Sequence, residues 1–384
     1  MKLGLIPKLL IGIVIGVLIG SYAPDAVIRL SETVRIFLGN LIKFIIPLII
    51  VAFVSAAIAE FGEKAGRMLT WTVGISYVST IIACVLGAVV AYAVIPLMAP
   101  EAASVAKAAS IGKAYIQIDM PPVMAVMSAL ILAFLVGLGV TWTKSPSLRN
   151  VLNEGRDIVA LIIKRLMIPL VPWFVGSIFV QLAAKGDLFA TALIFGKMLL
   201  LIVVLQWIWL LIQYLSAGAY AKQNPFVVLK EMMPAYLTAM GTMSSAATMP
   251  VSLECARRVP FIRSKVADFV MPLCSTVHLS GAAMTITISA VTVSLITTGA
   301  VPPIGTMITF IILLGVIEVG AVGVPGGSVM AALGILASTL GFGEAALGLM
   351  LTLFMIQDSF GTATNIVGDG AVAMVINKLF GNEA

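Results

Sequence analysis

Residues 356–370 read Ile356-Gln-Asp-Ser-Phe-Gly-Thr-Ala-Thr-Asn-Ile-Val-Gly-Asp-Gly370, and this stretch decides the fold class of the 384-residue sequence. It places two carboxylates, two amides, two threonine hydroxyls and a serine hydroxyl inside a segment that otherwise has the composition of a membrane span. On a helix, four of these polar residues share one stripe at the spacing i, i+4, i+7 and i+11: Asp358, Thr362, Asn365 and Asp369. A carboxylate at bilayer depth is costly and usually faces a cavity that handles an ion or a polar substrate. The alternative is a helix end that already lies at the membrane surface.

The composition predicts an integral membrane protein without a soluble domain. Of the residues, 61% are hydrophobic and only 10% are charged, and at about 20 residues a span the chain has room for roughly eight to ten spans or half-spans. The net charge of +6 indicates membrane topology rather than a nucleic-acid partner, because no basic cluster with interleaved aromatic residues occurs. The cysteines lie far apart, which predicts neither a disulfide framework nor a zinc site: Cys84, Cys255 and Cys274.

Apolar runs predict six spans in the first part of the chain. These runs cover residues 4–22, 31–59, 68–96, 122–142, 155–183 and 188–221. The first run has no small-residue cleavage site, so we expect it to be retained as a span. Ser31 is expected to N-cap the second span, and residues 99–120 are expected to form a long exposed loop.

After Pro225 the pattern changes to interrupted apolar pieces. Residues 226–239 and 251–259 are joined by a Gly/Ser-rich segment, and so are residues 304–322 and 329–340. Each pair precedes a longer segment, at 261–298 (broken near 276–281) and at 343–380. This arrangement indicates an inverted repeat with two re-entrant hairpins, whose tips become site candidates because non-helical backbone at that depth needs protein or a wet cavity around it. The alternative for each tip is an ordinary loop.

Lysine and arginine residues predict the orientation. Most of the 23 fall on one side of the predicted spans, with residues 254–258 and 263–265 contributing strongly. The distribution favours cytoplasmic N- and C-termini.

Four motifs in fixed order resemble the sodium:dicarboxylate symporter family, the glutamate-transporter homologues, over essentially the full chain. They are most similar to the bacterial serine/threonine sodium symporters. The motifs are Ser244-Ser-Ala-Ala-Thr-Met-Pro250, Gly323-Val-Pro-Gly-Gly-Ser328, Met271-Pro-Leu-Cys-Ser-Thr-Val-His-Leu-Ser-Gly-Ala-Ala283, and the run from Gln357-Asp-Ser to Gly368-Asp369.

The resemblance implies an all-α polytopic protein of a bacterial or archaeal inner membrane, with eight transmembrane helices and two re-entrant hairpins. It implies a homotrimer in which a transport domain moves like an elevator against a scaffold. The scaffold would comprise residues 1–66 (spans 1 and 2) and 99–185 (a loop and spans 4 and 5). The transport domain would comprise residues 67–98 (span 3) and 186–384, with hairpin 1 at about 226–259 and hairpin 2 at about 304–340.

The hairpin tips are the expected binding groups for an amino-acid carboxylate. Ser244 and Ser245 lie at a half-helix N-terminus, where N–H groups and the helix dipole favour an anion. The second tip would act as a lid whose glycines let the backbone approach the ligand. Its expected contact residues are Val324, Pro325 and Gly326.

On the last helix the resemblance assigns roles to the polar stripe. Asp358 matches the position that pairs with the substrate's ammonium group, Asn365 matches one that contacts the substrate and borders a sodium site, and Thr362 would add a hydroxyl. Gly361 departs from the family, because acidic-substrate members carry an arginine there. Without that arginine a second buried carboxylate would stay unpaired, so we expect a small neutral substrate such as serine, threonine or alanine.

The cation sites expected from the resemblance consist of hard oxygen ligands for Na⁺. One site would use Asp369 and Asn365 with the backbone carbonyls of Cys274 and His278. A second would use the Thr276 carbonyl and carbonyls of the second hairpin's first arm. A third site lacks part of the family's ligand set. Ser79 and Thr80 remain, but the family's asparagine and aspartate are replaced by His278 and Ser280, so we expect this site to bind Na⁺ weakly or not at all.

Two further ionisable groups are hypothetical proton carriers. His278 is the only histidine of the chain, and Glu318 lies in an apolar run. Either could carry a proton, or the two could pair, in place of the missing sodium ligand. The alternative is a neutral histidine bonded to backbone and a glutamate near the membrane face.

The sequence therefore predicts a Na⁺-coupled secondary symporter for a neutral amino acid, working in membrane lipid. A dicarboxylate or acidic amino-acid symporter, with or without proton coupling, is the alternative within transport. A passive channel also stays open. An enzyme is not expected, since the chain has one histidine and no HExxH or GxSxG motif.

Overall fold

The computed structural model of the protein describes residues 5–63, 66–98, 114–186, 188–321 and 323–381. In these ranges every regular element is a helix. Seven helical segments are long and apolar enough to cross a membrane, and three shorter apolar helices accompany them.

The first half of the chain supplies seven helices. Their bounds are α1 Leu5–Tyr22, α2 Asp25–Glu63, α3 Arg67–Met98, α4 Val126–Thr143, α5 Pro146–Ile162, α6 Ile168–Lys185 and α7 Leu188–Ala221. The first and sixth predicted apolar runs form helices with nearly the predicted bounds, α1 and α7.

The second span begins earlier than predicted, at Asp25. Ser31 therefore lies inside α2, and its prediction as an N-cap is wrong. Pro24 and the acidic Asp25 mark the actual helix start, where a carboxylate complements the helix dipole.

The fifth span is a continuous helical segment, longer than predicted. It starts at Pro146, where Ser145 caps the helix by accepting a hydrogen bond from Leu148 N–H (3.4 Å). A π-helical turn, Ile163–Met167, connects α5 to α6. Pro169 lies just beyond this turn, and a proline there removes one backbone donor, which favours such an irregularity.

The second half contains the predicted interrupted pieces. The helices are α8 Pro225–Thr242, α9 Ser245–Arg257, α10 Ser264–Val277, α11 Ser280–Thr298, α12 Ile304–Val319, α13 Gly327–Leu340 and α14 Glu344–Phe380. The break in the seventh segment is confirmed and lies at His278 and Leu279. The predicted end of the first piece of hairpin 2, Val322, lies outside the described residues.

The joint between α8 and α9 is shorter than predicted. Only Met243 and Ser244 separate the two helices, with Met243 in the left-handed region (φ 50°). Ser244 caps α9, since its Oγ accepts a hydrogen bond from Ala247 N–H (3.2 Å). The sequence 245–250 is thus helical rather than part of a loop.

Of the predicted loop at 99–120, residues 99–113 lie outside the described part. The described remainder is mostly exposed, as predicted, and runs along α2. Tyr115 N–H donates to Thr33 Oγ1 (3.0 Å), and Asn40 Nδ2 donates to the Ile118 carbonyl (2.7 Å).

The last helix, α14, lies at the centre of the second half. It packs against α7, α8, α10 and α11, and most of its residues are buried. Two apolar clusters meet along it, one formed mainly by α2, α3, α6, α11 and α13 and the other by α7 to α10. The polar stripe of α14 is therefore held inside packed helices.

Candidate functional site

The four polar residues of the α14 stripe are buried in the middle of the helix. Their exposed fractions are 4% for Asp358, 4% for Thr362, 3% for Asn365 and 0% for Asp369. The alternative of a helix end at the membrane surface does not fit, because α14 continues in both directions from the stripe.

Asp358 joins the last helix to the second tip, which we define as residues 323–326. Its Oδ2 accepts a hydrogen bond from Gly326 N–H (2.7 Å), and its Oδ1 accepts one from Thr362 Oγ1 (3.2 Å). Gly326 has φ 73°, and a Cβ there would collide with the end of the Met355 side chain. The positive φ therefore favours glycine where the tip approaches the carboxylate.

The two hairpin tips touch each other beside this carboxylate. We define the first tip as residues 243–245. Ser244 Oγ donates to the Gly323 carbonyl (2.6 Å), and Ala246 N–H lies 3.3 Å from the same oxygen. A Cβ at Gly323 would lie 3.2 Å from Ser245 Cβ, so the tips are in close contact. The structure thus brings Ser244, Ser245 and the second tip together.

Asn365 ties the stripe to the break in the seventh segment. Its Oδ1 accepts hydrogen bonds from the N–H groups of Gly281 (2.8 Å) and Ala282 (3.2 Å). These donors belong to the first turn of α11, whose N–H groups have no partner within their own helix.

Two other predicted cation ligands, Cys274 and Thr276, lie in the last turn of α10. The Cys274 carbonyl accepts the His278 N–H (2.9 Å), and Cys274 Sγ lies 3.6 Å from Ser76 Oγ. Thr276 is exposed, and its hydroxyl donates to the Leu273 carbonyl (2.9 Å).

His278 is fully buried among side chains from three helices. Its Nδ1 lies 2.9 Å from Asp369 Oδ1, its Nε2 lies 2.9 Å from Ser79 Oγ, and the Gln213 amide nitrogen is 3.2 Å from Nε2. Gln213 Nε2 also donates to Ser79 Oγ (2.9 Å). The imidazole therefore contacts Ser79, a residue predicted for the third cation site, and Asp369, a residue predicted for the first.

Two residues that contact the histidine each keep one polar atom without a hydrogen-bond partner among the described residues. These atoms are Asp369 Oδ2 and Gln213 Oε1. Thr80 Oγ1 and Ser280 Oγ, which belong to residues predicted for the third cation site, are also buried without a partner. A buried carboxylate oxygen with unused capacity fits a small cation better than an apolar ligand.

Glu318 lies on α12 and is fully buried. Neither carboxylate oxygen makes a well-aligned hydrogen bond within the described part of the chain. The Ser328 hydroxyl on α13 lies within reach as a donor, and Cys84 on α3 and Asp358 are further electrostatic neighbours. The predicted pairing of His278 with Glu318 does not occur here, because the histidine pairs with Asp369.

Gly361 faces α11 rather than the tips. A Cβ at this position would lie 3.6 Å from Ala282 and from Thr285 Oγ1, which is ordinary van der Waals contact. An arginine here would begin its side chain against α11.

Two buried glutamines of α7 complete the polar interior and were missed in the sequence. Gln206 Nε2 donates to Thr285 Oγ1 (2.9 Å), and Gln213 contacts His278. The two are seven residues apart in an apolar span, which puts both on one helix face. That spacing was the available signal.

A cavity of about 540 Å³ leads toward the tips from outside the helices. Ala246 and Gly323 lie along its lining, together with residues of α2, α5, α10 and α12. Charged groups also line it: Glu60, Arg156 and Asp268. Arg156 lies 3.6 Å from Glu60.

Comparison with known proteins gives consistent matches over the full chain. The profile of the sodium:dicarboxylate symporter family matches residues 5–379. A serine/threonine transporter, SstT, of Enterococcus faecalis is 28% identical over 392 positions, which cover 96% of this chain and 90% of that protein. The serine/threonine transporter SstT of Acinetobacter baylyi is 26% identical over 399 positions, which cover 98% of this chain and 98% of that protein.

Packed apolar helices of membrane-spanning length, with carboxylates buried at their centre, define a multi-pass membrane transporter. The match over nearly all residues shows that the chain belongs to the sodium:dicarboxylate symporter family. The resemblance derived from the four motifs is confirmed. So is the prediction that the protein is not an enzyme, because the family and both relatives are transporters.

Proposed function

We propose that the protein is a secondary active symporter that takes up a small neutral amino acid of the serine, threonine or alanine type together with Na⁺. The observation that carries the proposal is Asp358, a buried carboxylate at the meeting point of both tips. One helical turn away, Gly361 provides no positive group for a second substrate carboxylate. The names of the two serine/threonine transporter relatives support the same substrate class.

The amino acid is held by its two charged ends. Asp358 pairs with the ammonium group, and the pair is strong because both charges are desolvated. The carboxylate lies at the N-terminus of α9, where Ser244 and Ser245 offer N–H and hydroxyl groups. Thr362 and Asn365 contact the substrate from α14.

The second tip acts as the lid over the substrate. The Gly326 N–H already donates to the Asp358 carboxylate, and Val324 and Pro325 directly precede Gly326 in the tip. Substrate entry therefore requires the tip to release that hydrogen bond, so that the ammonium group replaces a backbone donor.

Na⁺ is carried as a second substrate. The unpartnered Asp369 Oδ2, with Asn365 and the carbonyls of Cys274 and His278, supplies the hard oxygen atoms that Na⁺ prefers. A second cation lies by the Thr276 carbonyl and the carbonyls of α12. At the third position, between Ser79, Thr80 and Ser280, the His278 ring takes the place of an ion.

His278 and Glu318 are the candidates for carrying a proton alongside Na⁺. Uptake by the wild type and by His278→Asn, driven by imposed Na⁺ and pH gradients, tests this role. Unchanged dependence on both gradients would remove His278 from the mechanism.

The proposed movement is that of an elevator within a homotrimer. Eight helices span the membrane, α8–α9 and α12–α13 enter it as re-entrant hairpins, and both termini are cytoplasmic. Residues 1–66 and 99–185 form the scaffold, and residues 67–98 and 186–384 move. The 540 Å³ cavity between α2 and α5 on one side and α10 and α12 on the other supports such a division, since it separates these two groups of helices.

Uptake of radiolabelled serine into proteoliposomes is the deciding experiment. Concentration of serine inside, abolished when the Na⁺ gradient is collapsed, supports coupled transport over a passive channel. Competition by alanine and threonine but not by aspartate or succinate supports the neutral substrate. Stronger competition by aspartate would contradict it and favour the alternative of an acidic substrate.

A further inference from the structure

A groove of about 720 Å³ lies between α3, α7 and α14, and it shares no lining residue with the cavity that leads to the tips. Most of its lining is apolar, and the exposed side chains of Trp71, Val78 and Ile82 lie along its α3 edge. All three helices are long and apolar enough to cross a membrane. The groove therefore opens toward the hydrocarbon of the bilayer.

The length of the groove matches one leaflet of a bilayer. Along α3 it runs from Thr70 to Ile82, which is about 18 Å at about 1.5 Å per residue. The hydrocarbon core of a bilayer is about 30 Å thick, so one leaflet contributes about 15 Å. Thr70 lies near the start of α3, and Val375, which also lines the groove, lies near the end of α14. The groove thus begins where these helices reach the membrane surface and extends to about the depth of one acyl chain.

Basic side chains continue the lining at the surface end of the groove. Arg67 lies seven residues before Gly74, and Lys378 lies seven residues after Ala371, so each cation shares a helix face with a lining residue. The Arg67 guanidinium carbon lies 6.0 Å from the centre of the Phe380 ring, which brings the start of α3 to the end of α14.

These two cations carry charge that the protein leaves without a counter-ion. Arg67 and Lys378 are both exposed. Neither forms a salt bridge with another side chain in the described part of the chain. Basic groups at the membrane surface, next to a gap between spanning helices, favour the head group of an anionic lipid.

We propose that the groove binds an anionic phospholipid, with one acyl chain between α3 and α7 and the phosphate beside Arg67 and Lys378. The apolar lining supplies the hydrophobic free energy, which grows with each CH₂ group that is buried. The two cations supply the preference for a net negative head group. This inference is independent of the proposed function, because it needs only the membrane location of the three helices.

The inner wall of the groove belongs to the polar network around His278. Ser79 and Gln213 line the groove, and both also contact the imidazole. Ser79 is only partly buried, so its outer side faces the groove. A bound acyl chain covers that side and keeps water away from the histidine. The lipid therefore acts as a structural ligand rather than as cargo.

Lipid binding to the purified full-length protein is measured by native mass spectrometry. The probes are dioleoyl phosphatidylglycerol and dioleoyl phosphatidylcholine, which have the same chains and differ in net charge. We expect the wild type to bind one phosphatidylglycerol molecule per protomer and to prefer it by at least about tenfold. In the double variant Arg67→Gln with Lys378→Gln, this preference should fall by about fivefold for each charge removed. Lys144→Gln, which changes an exposed lysine between α4 and α5, should leave the preference unchanged.

Gly74→Leu tests the groove itself. No atom lies within 4 Å of a Cβ at Gly74, so leucine fills part of the groove without displacing its neighbours. We expect binding of both lipids to weaken by at least about tenfold. Without lipid, the unfolding temperature should stay at or above that of the wild type, because leucine favours a helix more than glycine does. Gly196→Leu is the matched control, since Gly196 is an exposed glycine of α7 outside the groove with equally open surroundings.

The outcomes decide each part of the proposal. Wild-type affinity for phosphatidylglycerol in Gly74→Leu overturns the groove as the binding site. An undiminished preference for phosphatidylglycerol in the double variant overturns the place of the phosphate, and this variant changes only exposed side chains near helix ends. If the wild type retains no lipid while Gly74→Leu separates an oligomer into protomers, the groove is an interface between copies of the chain and the lipid proposal is wrong.

Discussion

His278 Nδ1 lies 2.9 Å from Asp369 Oδ1, and both side chains are fully buried. The opposite ring nitrogen lies 2.9 Å from Ser79 Oγ. One imidazole thus connects the break before α11 to α14 and to α3. The ring contacts two groups that the family resemblance assigns to cation binding, Ser79 and Asp369, and we propose that it takes the place of an ion there.

Restoring the family's residues is expected to restore a cation site. In the double variant His278→Asn with Ser280→Asp, oxygen ligands and an anionic group replace the ring, so serine binding should depend more steeply on Na⁺ concentration. The Hill coefficient for Na⁺ measures this change. Ser280→Asp alone is the control, because the ring is still in place. An equal Hill coefficient in the double variant and the wild type would argue against the replacement.

Asp358→Asn is expected to weaken serine binding at least about 100-fold. Asparagine keeps an acceptor for the Gly326 N–H but removes the charge that pairs with a buried ammonium group, and breaking such a pair costs about 3–5 kcal/mol. Isothermal titration with serine measures the loss. Asp268→Asn is the control, since this half-exposed carboxylate pairs with Arg257 (2.6 Å) and its loss should change affinity by less than about threefold. If Asp358→Asn binds serine as tightly as the wild type, Asp358 does not hold the ammonium group and the proposed function loses the observation that carries it.

The polar stripe of α14 and the break at His278 were predictable because their signals are local. A carboxylate inside an apolar run and a Gly-rich interruption are visible within a few residues of sequence. The span ends were less predictable, because helices such as α2 continue past the apolar run into polar sequence. The helices that begin at Asp25 and Pro146 are defined by capping and by the backbone geometry of proline, and a hydropathy pattern contains neither signal.

The partners of the two buried glutamines could not be predicted from local sequence. Gln206 meets Thr285 and Gln213 meets His278 only because α7 packs beside α11, across many intervening residues. The same holds for Gly361, because its neighbours Ala282 and Thr285 belong to α11. These contacts depend on long-range packing, which no pattern within a single helix reveals.

Gly326→Ala is expected to impair the lid beyond its cost in backbone strain. Alanine at φ 73° costs about 1 kcal/mol, and its Cβ would also collide with Met355 beside Asp358. Gly341→Ala is the matched control, because Gly341 has φ 69° with no atom within 4 Å of its Cβ position. Both variants should lose similar stability from strain, whereas only Gly326→Ala should lose serine affinity by about tenfold or more. Parallel losses of affinity in both would show that the tip does not close over the substrate.

Gly361→Arg is expected to shift selectivity from serine toward aspartate. The first side-chain carbon fits in ordinary contact with Ala282 and Thr285, and the guanidinium group would give a second substrate carboxylate the bidentate partner that it now lacks. Gly361→Leu adds bulk without charge and should lose serine binding without gaining aspartate. Competition of radiolabelled serine and aspartate in proteoliposomes measures the shift, which should reach about tenfold in the affinity ratio if one charge-assisted pair forms. If Gly361→Arg and Gly361→Leu behave alike, size rather than charge at this position governs selectivity, and the argument for a neutral substrate loses its basis.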